Sequence, residues 1–255
     1  MLTLAVREDG INNTFISNLP EDTPDEAIFK QCALEAKNGN DDQAHIKWRD
    51  NMLCKLPTPL RSDYDLHGNP FSMCYEQFIT NAYTYTKSCS QVCKLNNTVE
   101  RDAYMIFPEE DPAEVVTKMQ SGNFTMLNCP QCLQPIKTSP IEICKGRNPS
   151  FFVADMQFNG ANPRTVAETM PKEITISGIQ FELKMITINQ TARDHFMSLI
   201  RDSSTNKWIA YDGLFNRKKR TSTGRPLQFR LPFSSDWDEY YSQVNAVEYI
   251  RKQDY

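Results

Sequence analysis

The chain has no run approaching the roughly 20 consecutive apolar residues that a membrane-spanning helix requires. Its apolar start, Met1 to Val6, stops at Arg7-Glu8-Asp9 before it could form the core of a signal peptide. The expected location is therefore cytoplasmic or nuclear, with no membrane partner. Positive charge is not in excess either: 28 Lys plus Arg stand against 32 Asp plus Glu, a formal net charge of -4. A nucleic-acid binder shows the opposite balance. The one dense basic run, Arg217-Lys218-Lys219-Arg220, reads as a solvated hairpin loop, with nuclear import or phosphate binding as the rival reading.

What is present suffices for a folded protein. With 255 residues, 14 Phe, 10 Tyr and 3 Trp, the chain can bury one full core or two smaller ones. It also carries 8 cysteines. In a reducing compartment the closely spaced ones are better read as metal ligands than as disulfides. Cys32, Cys54, Cys74 and Cys144 read as small buried apolar residues.

Thr23-Pro24-Asp25-Glu26 has a cap, a proline at the first helical position and acids in the first turn, which predicts a helix to Lys37 with Ile28, Phe29, Cys32 and Leu34 or Ala36 on one face. Further helices are expected over 42–53 and 70–83. From 86 the texture changes to strands, expected at 103–107, 141–143, 151–154, 174–176, 181–188, 195–200, 208–211 and 244–251, with a short helix over 111–119. Helices first and an antiparallel sheet later is an α+β pattern.

Cys129-Pro130-Gln131-Cys132 has the spacing at which one tight turn aims two thiolates at a single zinc, and Cys89-Ser90-Gln91-Val92-Cys93 is one residue wider. Cys89, Cys93, Cys129 and Cys132 together would complete a structural zinc site, since four thiolates leave no open position for substrate. The rival reading is four inert thiols at a hairpin tip. A catalytic redox pair fits less well, because Cys129 does not sit between a strand and a helix.

His195 opens the strand-like run His195-Phe196-Met197-Ser198-Leu199-Ile200. A turn at Ser203-Ser204-Thr205-Asn206 leads into Lys207-Trp208-Ile209-Ala210-Tyr211-Asp212, so two antiparallel strands would return Asp212 beside His195. A histidine oriented by an acid is the base half of a cysteine-protease triad.

In this order the motifs resemble the catalytic domain of the ubiquitin-specific proteases, the papain-like cysteine deubiquitinases built as thumb, palm and fingers. The matching elements are the two cysteine pairs, the strand Ser150 to Phe158, Met170-Pro171, Phe181-Glu182-Leu183, the histidine segment, Trp208, Tyr211-Asp212 and the closing Tyr249-Ile250-Arg251, together covering roughly residues 70 to 255. The resemblance implies one domain, with a thumb-like helical part over 1–85, zinc-bearing fingers over 86–145 and a palm sheet over 146–255. It implies His195 as general base, Asp212 as the orienting acid, and ubiquitin or a ubiquitin-like modifier, carried by ubiquitinated substrates, as partner.

The departures bear on activity. The family's Gly-His-Tyr is Asp194-His195-Phe196 here, and its Arg-Phe is Gln157-Phe158. Its nucleophile box, Asn-x-Gly-Asn-x-Cys, is missing, and Cys32, Cys54 and Cys74 lack the neighbours of that nucleophile. The expectation is an N-terminally incomplete protease or a pseudoenzyme, inactive as it stands, with a noncatalytic ubiquitin-binding scaffold as the alternative. A zinc-ribbon nucleic-acid protein is a third reading, opposed by the net charge.

Overall fold

Thr23 starts helix α1 (Pro24–Lys37) through two reciprocal bonds: the Glu26 N–H donates to Thr23 Oγ1 at 3.2 Å and the Thr23 N–H to Glu26 Oε2 at 2.9 Å. Such a cap contributes about 1 kcal/mol. The helix ends because Gly39, at φ +85°, takes the left-handed conformation that lets Gly39 and Asn40 donate back to the carbonyls of Ala36 and Glu35. The chain then enters α2 (Asp41–Cys54).

In the computed structural model the described residues are 16, 19, 21, 23–54, 82–89, 98–102, 105–107, 112–121, 129, 132–134, 136–149, 151–156, 163–190, 195–202, 206–211 and 242–252. The chain divides into two compact units, Met1–Thr80 and Asn81–Tyr255. No helix among the described residues is long and apolar enough to cross a membrane.

In the first unit α1 and α2 form an antiparallel hairpin whose core holds Cys32, Ala36 and Ala44, with Ile28 and Trp48 against it. Phe29 meets Trp48 edge-on at 6.0 Å between ring centroids. Of the two expected core alternatives, Ala36 is buried and Leu34 stands exposed. Across the hairpin, Lys47 and Asn40 both donate to the Glu35 carboxylate at 2.9 Å, which holds that carboxyl below its usual range. The helix expected over 70–83 lies mostly outside the described residues, but its end is corrected: Tyr83 opens a strand.

Among the described residues the second unit holds two sheets. The smaller is four-stranded, with β2 (Thr98–Asp102), β1 (Tyr83–Cys89) and β4 (Ile136–Thr138) in that order and β5 (Glu142–Ile143) also on β1. The larger is seven-stranded in the order β10 (Lys207–Tyr211), β9 (His195–Asp202), β8 (Ile179–Gln190), β11 (Ser242–Arg251), β6 (Phe151–Met156), β3 (Met105–Phe107), with β7 (Glu173–Ile176) also on β8. All its pairs are antiparallel except β3 with β6. Two helices, α3 (Pro112–Ser121) and α4 (Pro163–Thr169), complete the described elements. The result is an α+β protein.

Central position explains the composition of β8, which buries Phe181, Leu183, Met185, Ile186 and Ile188. With neighbours on both edges and side chains packed on both faces, it reads as a nearly continuous apolar run. It is reached from β7 by a two-residue turn in which Ser177 and Gly178 sit at φ 50° and 79°. Positive φ at both positions matches the twist of a tight hairpin.

Two bulges distort β8 and β11. Val244 faces Ile188 while Ala246 faces Thr187, leaving Asn245 as the extra residue. Glu248 faces Met185 and Tyr249 faces Leu183, so Lys184 is extra on the other strand.

The two sheets are joined by aromatic packing. The Tyr83 hydroxyl of β1 donates to the Phe151 carbonyl of β6. The Tyr83 ring meets Phe152 edge-on at 5.5 Å, and Phe152 meets Tyr249 of β11 at 6.1 Å. Tyr249 in turn donates to the Pro171 carbonyl at 3.0 Å. All three rings are at most 1% exposed.

Candidate functional site

Cys89 closes β1 opposite Ile136 of β4, and the residues just before β4 bring two more thiols to it. The Cys129 N–H donates to the Gln134 carbonyl and the Leu133 N–H to the Cys129 carbonyl, both at 2.7 Å, so the Cys129 segment folds into a tight knuckle. The sulfurs of Cys89, Cys129 and Cys132 then lie within 4.8 Å of one another, with Cys89 and Cys132 at 3.1 Å.

Zinc–sulfur bonds of about 2.3 Å in a tetrahedron put ligand sulfurs roughly 3.8 Å apart. The Cys89–Cys132 pair is closer than that and all three sulfurs lie within 4.8 Å, so a small opening of this pair would admit an ion; with thiol donors that suit zinc, these three residues could hold a metal ion. Three of the four expected ligands are therefore together. Cys93, the fourth, lies outside the described residues.

The knuckle carries a strained residue. Leu133 sits at φ 58° with its side chain 73% exposed, so its left-handed backbone gains no compensating burial. That conformation costs a residue with a Cβ about 1–2 kcal/mol. Leu133→Gly should remove the strain while adding some unfolded-state freedom, for a net stabilisation of about 0.5–1 kcal/mol. A higher urea midpoint at unchanged slope is the expected reading.

His195 lies at the start of β9, where the register sets it opposite Gln190 of β8, which in turn faces Ser242 of β11. The next row reads Phe196, Asn189, Gln243. His195 thus sits at a polar end of the large sheet. The polar run from Asn189 to Asp194 reads in sequence as a loop over His195, but Asn189 and Gln190 belong to β8, and Ser242 and Gln243 join them from β11 without any sequence signal. The β9–β10 hairpin exists as expected, with Tyr211 opposite Ser198 as the last described pair. Asp212 lies outside the described residues.

At its far end that hairpin is clamped by Arg201. This buried guanidinium donates to Asn206 Oδ1 at 3.1 Å, and to Glu182 Oε1 and the Leu183 carbonyl at 3.3 Å. The same carboxylate meets Lys184 at 3.4 Å.

A second feature escaped the sequence reading: a row of buried polar residues on one face of the large sheet. Asp155, Ala246, Thr187 and Ser198 follow one another across β6, β11, β8 and β9, and Thr187 Oγ1 donates to Glu248 Oε1 at 2.8 Å. Asp155, Thr187, Ser198 and Glu248 are all buried.

None of the six described cysteines forms a disulfide. Cys32 is buried mid-helix in α1 as expected, whereas Cys54, expected to be buried, is exposed at the end of α2, and Cys144, after β5, is only partly buried. Cys74 lies outside the described residues. Burial pushes the Cys32 thiol up from 9.0 to about 11, against a smaller opposing pull from Lys47. A nucleophile needs the reverse.

Because the folded state holds that proton more tightly than the unfolded chain, its stabilising contribution is complete below about pH 9. It is lost as pH rises towards 11. Iodoacetamide at pH 8 should accordingly modify exposed Cys54 well before Cys32, as peptide mapping would read; equal rates would contradict the burial.

No family model matches the chain, and no curated protein matches it. Among solved structures, the PAN2 pseudoubiquitin-hydrolase of Saccharomyces cerevisiae aligns at 9% identity with a TM-score of 0.49, covering 98% of this chain and 83% of that one. A SAGA DUB module bound to monoubiquitin aligns at 11% identity and TM-score 0.45, covering 98% of this chain. The SAGA Ubp8/Sgf11/Sus1/Sgf73 DUB module bound to ubiquitin aldehyde aligns at 12% identity and TM-score 0.42, covering 95%. This chain spans 66% and 63% of the matched chains in those two modules.

Proposed function

We propose that this chain is a ubiquitin-specific-protease-like domain that binds ubiquitin or a ubiquitin-like modifier without cleaving its conjugates. The observation that carries the reading is an order along one unit: a thiol knuckle in the small sheet, then His195 opening β9 of the large sheet, paired with β10. That is the sequence of parts by which the chain resembles the family, arranged on separate sheets as fingers and palm would require.

In this reading Cys93 completes a structural zinc site with Cys89, Cys129 and Cys132. Residues 1–85, 86–145 and 146–255 correspond to thumb, fingers and palm of one domain, except that β1 already opens at Tyr83 and β3 of the middle segment pairs with β6 of the large sheet. In the same reading Asp212, which follows β10, is the acid that orients the His195 imidazole. The compartment is cytoplasmic or nuclear, and the partners are ubiquitinated proteins.

The absence of cleavage follows from the thiols. A general base contributes nothing to acyl transfer without a nucleophile within its reach. Among the described cysteines outside the cluster, burial pushes the Cys32 thiol up, and Cys54 and Cys144 stand in no nucleophile box of the family's kind. The histidine end of the sheet then serves as a surface for the modifier's tail.

The test is to incubate the purified chain with ubiquitin carrying a C-terminal electrophile and, separately, to titrate it with unmodified ubiquitin and ubiquitin-like modifiers by calorimetry. Saturable binding of a modifier with no adduct is expected. An adduct mapped to any cysteine would make the chain an enzyme. No binding to any modifier would end the reading.

A further inference from the structure

The three clustered thiols are not equivalent. Cys129 is 0% exposed and Cys89 8%, whereas Cys132 is only partly buried, so an attacking molecule reaches Cys132 first. Within the cluster Cys89 and Cys132 are in contact at 3.1 Å between sulfurs. They approach from separate segments, the end of β1 and the knuckle before β4, and a covalent bond between them needs a closure of about 1 Å. A pair with one accessible sulfur and one sheltered sulfur in contact with it has the layout of an attacking thiol and its resolving partner.

We infer that Cys89 and Cys132 form a redox site at which a low-molecular-weight disulfide such as oxidised glutathione closes a Cys89–Cys132 bond and thereby displaces metal from the cluster. The Cys132 sulfur attacks one sulfur of oxidised glutathione, whose S–S bond breaks and releases one glutathione thiolate. The Cys89 sulfur then attacks Cys132 in the mixed disulfide and expels the second glutathione. Two protein sulfurs are oxidised and one glutathione disulfide is reduced to two thiols; the two protons these take up come from the cysteines where the cluster is metal-free, and from solvent where the cysteines are zinc-bound thiolates and the zinc ion departs.

Two ligands tied in a disulfide no longer offer the two thiolates that a metal requires, so oxidation and metal occupancy exclude one another at this cluster. Formation of the bond is independent of the ubiquitin reading. The displacement of metal rests on the proposed zinc site.

The test oxidises the full chain, as purified with its zinc, using oxidised glutathione under native conditions, followed by tryptic mapping and measurement of released zinc with a chelating dye. Cleavage after Lys87, Lys94, Lys118 and Lys137 leaves Cys89 on the peptide 88–94 and both Cys129 and Cys132 on 119–137. The expected product is a cross-link between these peptides whose backbone fragments place it on Cys89 and Cys132, with loss of the bound zinc in proportion.

Cys89→Ser should instead accumulate glutathione on Cys132. Since that substitution could itself disturb folding, the wild-type map decides the matter alone. A bond to Cys93 or Cys129, or glutathione persisting on wild-type Cys132 with no cross-link, overturns the proposal. A cross-link in a chain that holds no zinc before oxidation supports the redox pair and overturns its coupling to metal.

Discussion

Phe152→Ala should lower the unfolding free energy by about 3–5 kcal/mol, the cost of emptying a buried aromatic site. The ring is 1% exposed and touches Tyr83 of one sheet and Tyr249 of the other. Its removal therefore opens a void between two layers rather than at a surface that could collapse. Domains of ordinary stability have about 5–15 kcal/mol in total, so the variant should be largely unfolded in modest urea. Phe152→Leu, which keeps much of the volume, should lose clearly less. An alanine variant with a urea midpoint like that of the wild type would mean that the two sheets do not depend on this contact.

Zinc should stabilise the chain measurably, and Cys129→Ser should abolish that effect. A ligand that binds only the folded state adds about 2.7 kcal/mol when present at 100 times its dissociation constant. Removing one of the clustered thiolates should remove this increment. The serine also places a hydroxyl in a fully buried position, which by itself costs about 1–3 kcal/mol where no partner is available. The informative quantity is thus the zinc-dependent shift in melting temperature, not the melting temperature itself. The expected result is a large drop on chelation for the wild type and none for the variant. A wild type indifferent to chelator would remove the metal from this account.

The sequence discloses those features whose cause is local. Helix α1 is legible because its cap, its N1 proline and its closing Asn38-Gly39 act within a few residues of themselves. Strands β8 and β9 are legible because their apolar runs are too continuous to belong anywhere but inside a sheet. The knuckle is legible because two thiols spaced as in Cys129 and Cys132 are already half of a metal site.

Other elements depend on remote partners. Strand β1 alternates Tyr83, Thr84, Tyr85, Thr86, and its Thr, Lys and Ser hide a strand that becomes clear only when β2, β4 and β5 pair with it. Strand β2 carries Glu100, Arg101 and Asp102, charges tolerable on an outer strand and uninformative by themselves. The burial of Thr187 with Glu248 joins residues 61 positions apart, which no local pattern encodes. The expectation for Asp212 rests on the β9–β10 hairpin alone, and its position relative to His195 belongs to the proposal.

One strand links the knuckle to the aromatic core. Tyr83, Tyr85 and Cys89 are the buried positions of β1 and share a face, because an even number of steps separates them. Insertion or loss of a single residue between Tyr83 and Cys89 would leave one end seated and turn the other away. Length variation here must therefore come in pairs of residues, a parity rule that would distinguish descendants still able to assemble the thiol knuckle from those that have abandoned it.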